Sequence, residues 1–232
     1  MRLAVMQPYL LPYIGYFRLL SAVDHFVVYD NIQYTKRGWI NRNRLLSSGE
    51  AATFTVPLQK DSDYLDIRQR DIAESFNPRK LLGQFAGAYR KAPFFSQTFE
   101  LLEKIFQCEE KNLFEFLYHS LEITCLHLNL DTPLIVSSQI NADHGAAGQS
   151  RLISICNAMK ADVYINPIGG NHLYSREAFA ANGIDLQFLQ YADTEYPQFA
   201  LPFVPRLSII DALMFNSVDD VCLQIASGGI CV

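Results

Sequence analysis

Short apolar runs alternate with segments of helical periodicity along much of the chain. Residues Arg2–Met6 and His25–Tyr29 have the apolar character of buried strands, and Tyr13–Ala22 between them carries large apolar groups at helical spacing. A strand, a helix and a second strand within about thirty residues is the spacing of a βαβ unit, in which the two strands are parallel. The opening of the chain therefore predicts a parallel sheet.

The alternation continues beyond this unit. The later strands are predicted over Pro133–Ser137, Asp162–Asn166 and Ile184–Leu189, and the later helices begin at Gly148, Ser175 and Ser217. Ala52–Leu58 and Asp66–Ile72 are predicted to be two further strands that form an inserted hairpin. The fold class that follows is α/β, a mostly parallel sheet flanked by helices.

The middle of the chain predicts a helical insertion over about residues 77–130. Asn77 is a suitable N-cap, and Pro78 occupies the first helical position, where its missing N–H costs nothing. The helices predicted in this region run from Pro78 to about Lys91, over Ser96–Gln107 and over Leu113–Leu128. We expect residues 1–232 to form a single α/β domain that carries this insertion.

Composition narrows the function classes. The chain has 19 basic and 24 acidic residues, a net charge of −5, which argues against bulk nucleic-acid binding. No apolar run approaches the roughly 20 residues of a membrane span, and Gln7 and Pro8 interrupt the amino terminus too early for a secretory signal. Five scattered cysteines without a CxxC pair predict neither disulfides nor a metal site. We expect a cytoplasmic protein, and aromatic residues (12%) could supply a homo-oligomer interface.

Polar side chains follow several of the predicted strands. They are Gln7 and Tyr9, then Asp30, Asn31, Gln33 and Tyr34, then Ser137, Ser138 and His144, and finally Asn166, Gly169 and Gly170. Ligands of open α/β sheets bind beyond the carboxyl ends of the strands, so these residues are candidates for a binding site. Loops are generally polar, however, and the same pattern is compatible with ordinary surface loops.

The segment from Asp30 to Arg44 is the most informative part of the chain. Between Lys36 and Arg44, four basic residues fall within nine positions, together with the only tryptophan, Trp39. Arg42 and Arg44 point to the same side if this stretch is extended, and such a pair suits phosphate or carboxylate oxygens. Trp39 and Tyr34 offer flat faces for a sugar or base ring. We therefore expect an anionic-ligand site here.

Several motifs make the chain resemble the WbqC-like family. They are Met6-Gln7-Pro8-Tyr9, Pro12 to Phe17, Asp24 to Tyr34, the run Lys36 to Arg44, Gly148 to Leu152, Ile168-Gly169-Gly170 with Tyr174, Tyr196-Pro197-Gln198, and Pro205 to Asp211. The resemblance implies a cytoplasmic enzyme of O-antigen or other surface-polysaccharide pathways. Such an enzyme would acylate the amino group of a nucleotide-linked amino sugar, with glycine as one candidate acyl group.

For this reading, Asp30 and Lys36 are the predicted catalytic residues. Asp30 would take the proton of the attacking amine, and Lys36 would hold phosphates together with Arg42 and Arg44. The remaining substrate-binding candidates are Gln7, Tyr9, Gln33, Tyr34, Trp39, Asn41, Asn43, Gly169 and Gly170. The expected partners are the nucleotide-linked amino sugar and an acyl donor, either ATP with an amino acid or an acyl thioester.

Two alternatives stay open. The same polar and aromatic residues would serve a non-catalytic protein that binds a sugar nucleotide within the pathway. The turn Tyr13-Ile14-Gly15-Tyr16 also resembles the HxGH turn of nucleotidyl-transferase folds, with tyrosines in place of both histidines. That resemblance implies an ATP-dependent ligase that forms an amide bond through an acyl adenylate.

Overall fold

The computed structural model describes residues 1–199, 202–227 and 229–232, so Gly228, expected to follow the last helix, lies outside the described residues. The strands are β1 (Arg2–Met6), β2 (His25–Val28), β3 (Arg42–Ser47), β4 (Glu50–Thr55), β5 (Leu134–Val136), β6 (Val163–Pro167), β7 (Asp185–Gln190) and β8 (Ile230–Cys231). The helices are α1 (Ile14–Ser21), α2 (Pro78–Tyr89), α3 (Phe95–Phe106), α4 (Leu113–His127), α5 (Gly148–Met159), α6 (Arg176–Ala180), α7 (Ile209–Phe215) and α8 (Val218–Ala226).

The central sheet has the strand order β5-β2-β1-β6-β7-β8. Five of these strands are parallel, and only β8 runs antiparallel, along the edge of β7. Numbered by themselves in chain order, the parallel strands read 3-2-1-4-5, which matches the core of the doubly wound nucleotide-binding order. The predicted α/β class with a mostly parallel sheet is confirmed.

Helices cover both faces of the sheet. Because side chains of successive strand residues point to opposite faces, each strand contributes to two cores. Ala4 and Phe26 belong to the core formed with α1, the inserted helices, α7 and α8. Leu3, Val27 and Tyr164 belong to a second core, formed with α5 and α6. Strands buried on both faces read as continuous apolar runs, which is why β1 and β2 are evident in the sequence.

The three helices α2, α3 and α4 lie between β4 and β5, where the helical insertion over residues 77–130 is expected. Asn77 caps α2, because its side-chain oxygen accepts a hydrogen bond from the Lys80 N–H at 3.2 Å. The insertion packs on the β3–β4 hairpin through Phe54 and Phe85, whose ring centroids are 4.9 Å apart.

The two strands that form the hairpin are not the two that the sequence predicts. Its partners are β3 and β4, whereas the strand predicted over Asp66–Ile72 is wrong: this stretch forms a 3-10 turn at Ile67–Gln69 with isolated bridges on either side. The strand β3 escapes pattern analysis because it begins with the polar run Arg42-Asn43-Arg44. Helix α7 was also not predicted, because it is short and almost wholly buried and so shows no polar face.

The five cysteines are free thiols. Burial raises the pKa of Cys125 to about 12 and that of Cys156 to about 12, so both thiols stay protonated at neutral pH. In the described part of the chain, no helix combines the length and apolar character needed to cross a membrane.

Two glycines with open space around them give a stability test. An added Cβ meets nothing within 4 Å at Gly83 in α2 or at Gly49 in the hairpin turn, but Gly49 has a φ of +82°. We expect Gly83→Ala to raise the free energy of unfolding by about 0.5–1 kcal/mol, because alanine costs less backbone entropy in a helix. Gly49→Ala should lower it by about 1–2 kcal/mol, because the left-handed conformation is unfavourable for alanine. Urea unfolding of both variants measures the difference, and a shift of the same sign in both would contradict it.

Candidate functional site

A cavity of about 770 Å³ lies at the carboxyl ends of β1 and β6. Met6 and Gln7 line it at the end of β1, and Asn166 and Pro167 line it at the end of β6. The strand order reverses between these two strands, and ligands of doubly wound sheets bind at that reversal. The volume falls within the range typical of small-molecule sites.

Two helices begin at the cavity wall. Gly15 lies in the first turn of α1, and Gly148 is the first residue of α5. The N-cap residues Tyr13 and Ala147 make no side-chain capping hydrogen bond, so neither helix is capped by the side chain of its own N-cap residue. These helix ends carry partial positive charge, which favours an anion in the cavity.

The charged residues in the described lining of the cavity are two arginines, Arg44 and Arg206. The Arg44 guanidinium lies 5.2 Å from the ring centroid of Trp39, and its Nη2 donates to the carbonyl oxygen of Arg206 at 2.8 Å. Arg206 pairs with Asp193 at 3.2 Å, in an exposed ion pair. The described lining includes no carboxylate, imidazole, amine or thiol, so its charge is positive.

Tyrosines supply most of the remaining polar groups of the cavity. Burial raises the pKa of Tyr9, Tyr29 and Tyr174 above the ordinary value and raises that of Tyr16 well above it. These hydroxyls therefore stay protonated at neutral pH. The Tyr16 hydroxyl donates to the Gln7 carbonyl oxygen at 3.1 Å, whereas the hydroxyls of Tyr9, Tyr29 and Tyr174 can donate to a ligand. None of the four can act as a base.

Part of the predicted site lines this cavity: Gln7, Tyr9, Trp39, Asn43, Arg44, Gly169 and Gly170. Asn43 is 5% exposed and donates to the carbonyl oxygens of Leu10 and Leu11, so it fixes the turn after β1. Gly170 packs against the side chain of Asn166, where a Cβ would collide with the amide nitrogen. The glycine therefore allows the chain to approach the end of β6 closely.

The predicted catalytic residues lie outside the cavity lining. Asp30 is 2% exposed, and its Oδ1 accepts a hydrogen bond from the Ser138 N–H at 2.9 Å. It ties the end of β2 to the turn after β5. Lys36 forms an exposed ion pair with Asp63 at 2.8 Å. The Asp30 carboxylate is held by the turn after β5 and Lys36 by Asp63, whereas Tyr29 and Ile32, on either side of Asp30, line the cavity.

The remaining predicted residues brace the loop that carries Trp39. Arg42 donates to the carbonyl oxygens of Gly38 at 3.1 Å and Arg37 at 2.7 Å. The hydroxyl of Tyr34 donates to Asn41 Oδ1 at 2.8 Å, and the Asn41 amide donates to the Val56 carbonyl oxygen at 2.8 Å. Outside this loop, Gln33 donates to the carbonyl oxygen of Asp63. Arg42 and Arg44 both lie near the Trp39 ring, as alternate residues of β3 should, but only Arg44 lines the cavity.

The structure adds residues to which the sequence reading gave no role. They are Tyr29, Gln149, Tyr174 and Arg206. All four stand within the motifs that resemble the family, which is the only signal in the sequence that could have found them. No local pattern marks Arg206, because it lies in a segment with neither helical nor strand periodicity.

Arg206 lies in the connecting segment, which we define as residues 191–199 and 202–208. Tyr196 and Gln198 of this segment donate to Asp211 Oδ2 at 2.7 Å each, and Tyr89 of α2 donates to Oδ1 at 2.8 Å. Asp211 is fully buried, and this burial raises its pKa while the three hydrogen bonds oppose the rise. The carboxyl group therefore joins the connecting segment to the helical insertion.

The model of the WbqC-like protein family matches residues 7–222. The uncharacterized protein Rv1507c of Mycobacterium tuberculosis is 29% identical over 218 residues, which is 93% of this chain and 93% of that protein. No solved structure matches the chain.

Replacement of Asp211 tests its part in holding the connecting segment. In Asp211→Asn, an N–H₂ group must take the place of one oxygen and will face a donor, either Gln198 or Tyr89. We expect the free energy of unfolding to fall by about 1–3 kcal/mol, the cost of an unsatisfied buried donor. Urea unfolding measures this, with the exposed Asp131→Asn as the control, expected within about 0.5 kcal/mol of the original protein. Equal stability of the two variants would contradict the assignment.

Proposed function

Because the chain belongs to the WbqC-like protein family, we propose that it is a transferase that acylates the amino group of a nucleotide-activated amino sugar. The reaction would serve the synthesis of O-antigen or another surface polysaccharide in the cytoplasm, with glycine as the first acyl group to test. The observation that carries the proposal is the cavity at the reversal of strand order, lined by Arg44, Arg206 and Trp39 and by no carboxylate among the described residues.

The chemistry of the lining suits the parts of such a substrate. A guanidinium can hold phosphate oxygens with two parallel hydrogen bonds, and Trp39, which is 37% exposed, presents a ring face for a base or a sugar. Gln7, Gln149 and the tyrosine hydroxyls can bond sugar hydroxyls. A cavity of about 770 Å³ can hold a ligand of this size.

The proton of the attacking amine needs an acceptor. In the transfer, a bond forms between the amine nitrogen and the acyl carbon, the bond from that carbon to its activating group breaks, and one proton leaves the nitrogen. The described lining offers no side chain that accepts a proton near neutral pH. We infer that water or a phosphate oxygen of the substrate takes the proton.

A second candidate function is the ATP-dependent amide-forming ligase. The strand order favours it, since this order is that of nucleotide-binding sheets, and the turn Tyr13-Ile14-Gly15-Tyr16 opens α1 at the cavity. The hydroxyl of Tyr191 fills the space against Gly15, where a Cβ would collide with it. A nucleotide could approach Gly15 from the side where a Cβ would project only after Tyr191 moves, which weighs against this function.

The direct test incubates the purified protein with UDP- and TDP-linked amino sugars and two sets of acyl donors, acyl thioesters and ATP with glycine. We expect mass spectrometry to detect an N-acylated sugar nucleotide, and the Arg44→Ala variant to form much less of it. Pyrophosphate release that depends on glycine would favour the ligase instead. Binding of the sugar nucleotide with every donor unconsumed would contradict both enzymes and leave the non-catalytic binding protein.

Asp30 provides a second test of the reaction. Loss of a general base lowers turnover by about 100-fold to 10,000-fold. Asp30 lies outside the cavity lining, and Asp30→Asn keeps an oxygen that can accept from the Ser138 N–H, so we expect turnover to stay within about threefold of the original protein. Steady-state rates at saturating substrate measure this. A loss of 100-fold with unchanged KM would restore Asp30 as the base.

A further inference from the structure

Arg44 has donors that the described residues leave unused. One Nη2 bond goes to the carbonyl oxygen of Arg206, and no carboxylate pairs with the guanidinium. Its Nε is buried and has no hydrogen-bond partner among the described residues. Arg44 is partly buried, and an unsatisfied buried donor on a charged group is unfavourable, so the arrangement favours an anion from outside the chain.

The backbone next to Arg206 is hydrogen-bonded to the backbone of Arg44. The Ser208 N–H donates to the Arg44 carbonyl oxygen at 2.9 Å, and the Ser208 hydroxyl donates to the Leu11 carbonyl oxygen at 2.8 Å. Arg206 has a φ of +57°, a left-handed conformation that residues with a Cβ rarely adopt. Strained residues of this kind persist where the surroundings fix them, often at ligand sites. Arg206 combines this strain with a position in the cavity lining, where its side chain can contact a bound ligand.

Arg206 keeps free donors as well. Its Nε contacts the Asp193 carboxylate at 3.2 Å and 3.4 Å, whereas neither Nη atom has a hydrogen bond to the described residues. The side chain is 66% exposed. Asp193 can therefore orient the Arg206 guanidinium through Nε while the two Nη atoms bind a ligand. This makes Asp193 a positioning residue.

We propose that Arg44 and Arg206 together form the subsite for the diphosphate group of the ligand. We call this subsite the clamp; one arginine comes from β3 and the other from the connecting segment. The proposal rests on the proposed function, because that function supplies a nucleotide diphosphate as substrate. Arg42, the neighbour of Arg44 on the same side of β3, takes no part because its guanidinium is bound to the Gly38 and Arg37 carbonyl oxygens. The second arginine comes from the far end of the chain instead.

Calorimetric titration with inorganic pyrophosphate, UDP and uridine tests the clamp. The variants are Arg206→Gln, Arg44→Gln and Arg206→Lys, and the control is Arg79→Gln, an exposed arginine of α2 with the same change of charge. We expect Arg206→Gln and Arg44→Gln each to weaken binding of pyrophosphate and UDP by about tenfold or more, with no change for uridine. Arg206→Lys should lose less, because it keeps the charge but not the two-pronged geometry. Arg79→Gln should stay within about twofold.

The outcomes separate the clamp from the proposed function. Pyrophosphate and UDP binding that Arg206→Gln leaves within twofold of the original protein would overturn the clamp, as would a lack of binding of either anion to the original protein. Acyl transfer to a sugar nucleotide by an Arg206→Gln variant of unchanged affinity would then still support the function. Anion binding that depends on both arginines, without transfer to any amino sugar, would support the clamp and contradict the function. Thermal unfolding of each variant is the control that tests whether the variant is folded.

Discussion

The parallel pairing of β1 with both β2 and β6 is the constraint on which the site depends. From β2 the sheet continues outward to β5, and from β6 it continues outward to β7, so the chain progresses in opposite directions on the two sides of β1. Connections that diverge in this way leave a crevice at the carboxyl ends of the two central strands. Leu3 and Ala4 are fully buried, so the register that sets this crevice is fixed by packing on both faces.

The elements outside the central sheet add walls to this crevice and complete a half-open cavity. The hairpin supplies Arg44, the loop before it supplies Trp39, and the connecting segment supplies Arg206. None of these is part of the central sheet, and each is held by polar contacts. Asn43 of the hairpin donates to the Leu10 and Leu11 carbonyl oxygens, and Arg42 donates to the Gly38 carbonyl oxygen of the loop. In the connecting segment, Tyr196 and Gln198 donate to Asp211. Buried polar bonds of this kind specify one arrangement, because any other arrangement leaves a group unsatisfied.

The electrostatic character of the cavity limits its chemistry. Two guanidinium groups, two helix amino termini and protonated tyrosines all favour negative charge or hydroxyl groups on the ligand. Such a lining is suited to binding and orienting an anionic ligand, and in the proposed reaction it would stabilise charge that develops on phosphate or acyl oxygens. The proton transfers of the reaction would then involve the ligand and water. The protein would position the reacting groups and supply a positive electrostatic field.

The sequence determined those features that arise from interactions within a few residues. Apolar runs marked β1 and β6, Asn77 marked the start of α2, and the basic aromatic segment contained Trp39 and Arg44 of the cavity. Long-range packing decided the rest. Arg44 and Arg206 are 162 positions apart and meet only because the connecting segment returns to β3. The sequence predicts Asp30 as a base and Lys36 as a phosphate-binding residue. Where a polar side chain points depends on which partner the folded chain brings to it, and the partners of these two residues are Ser138 and Asp63.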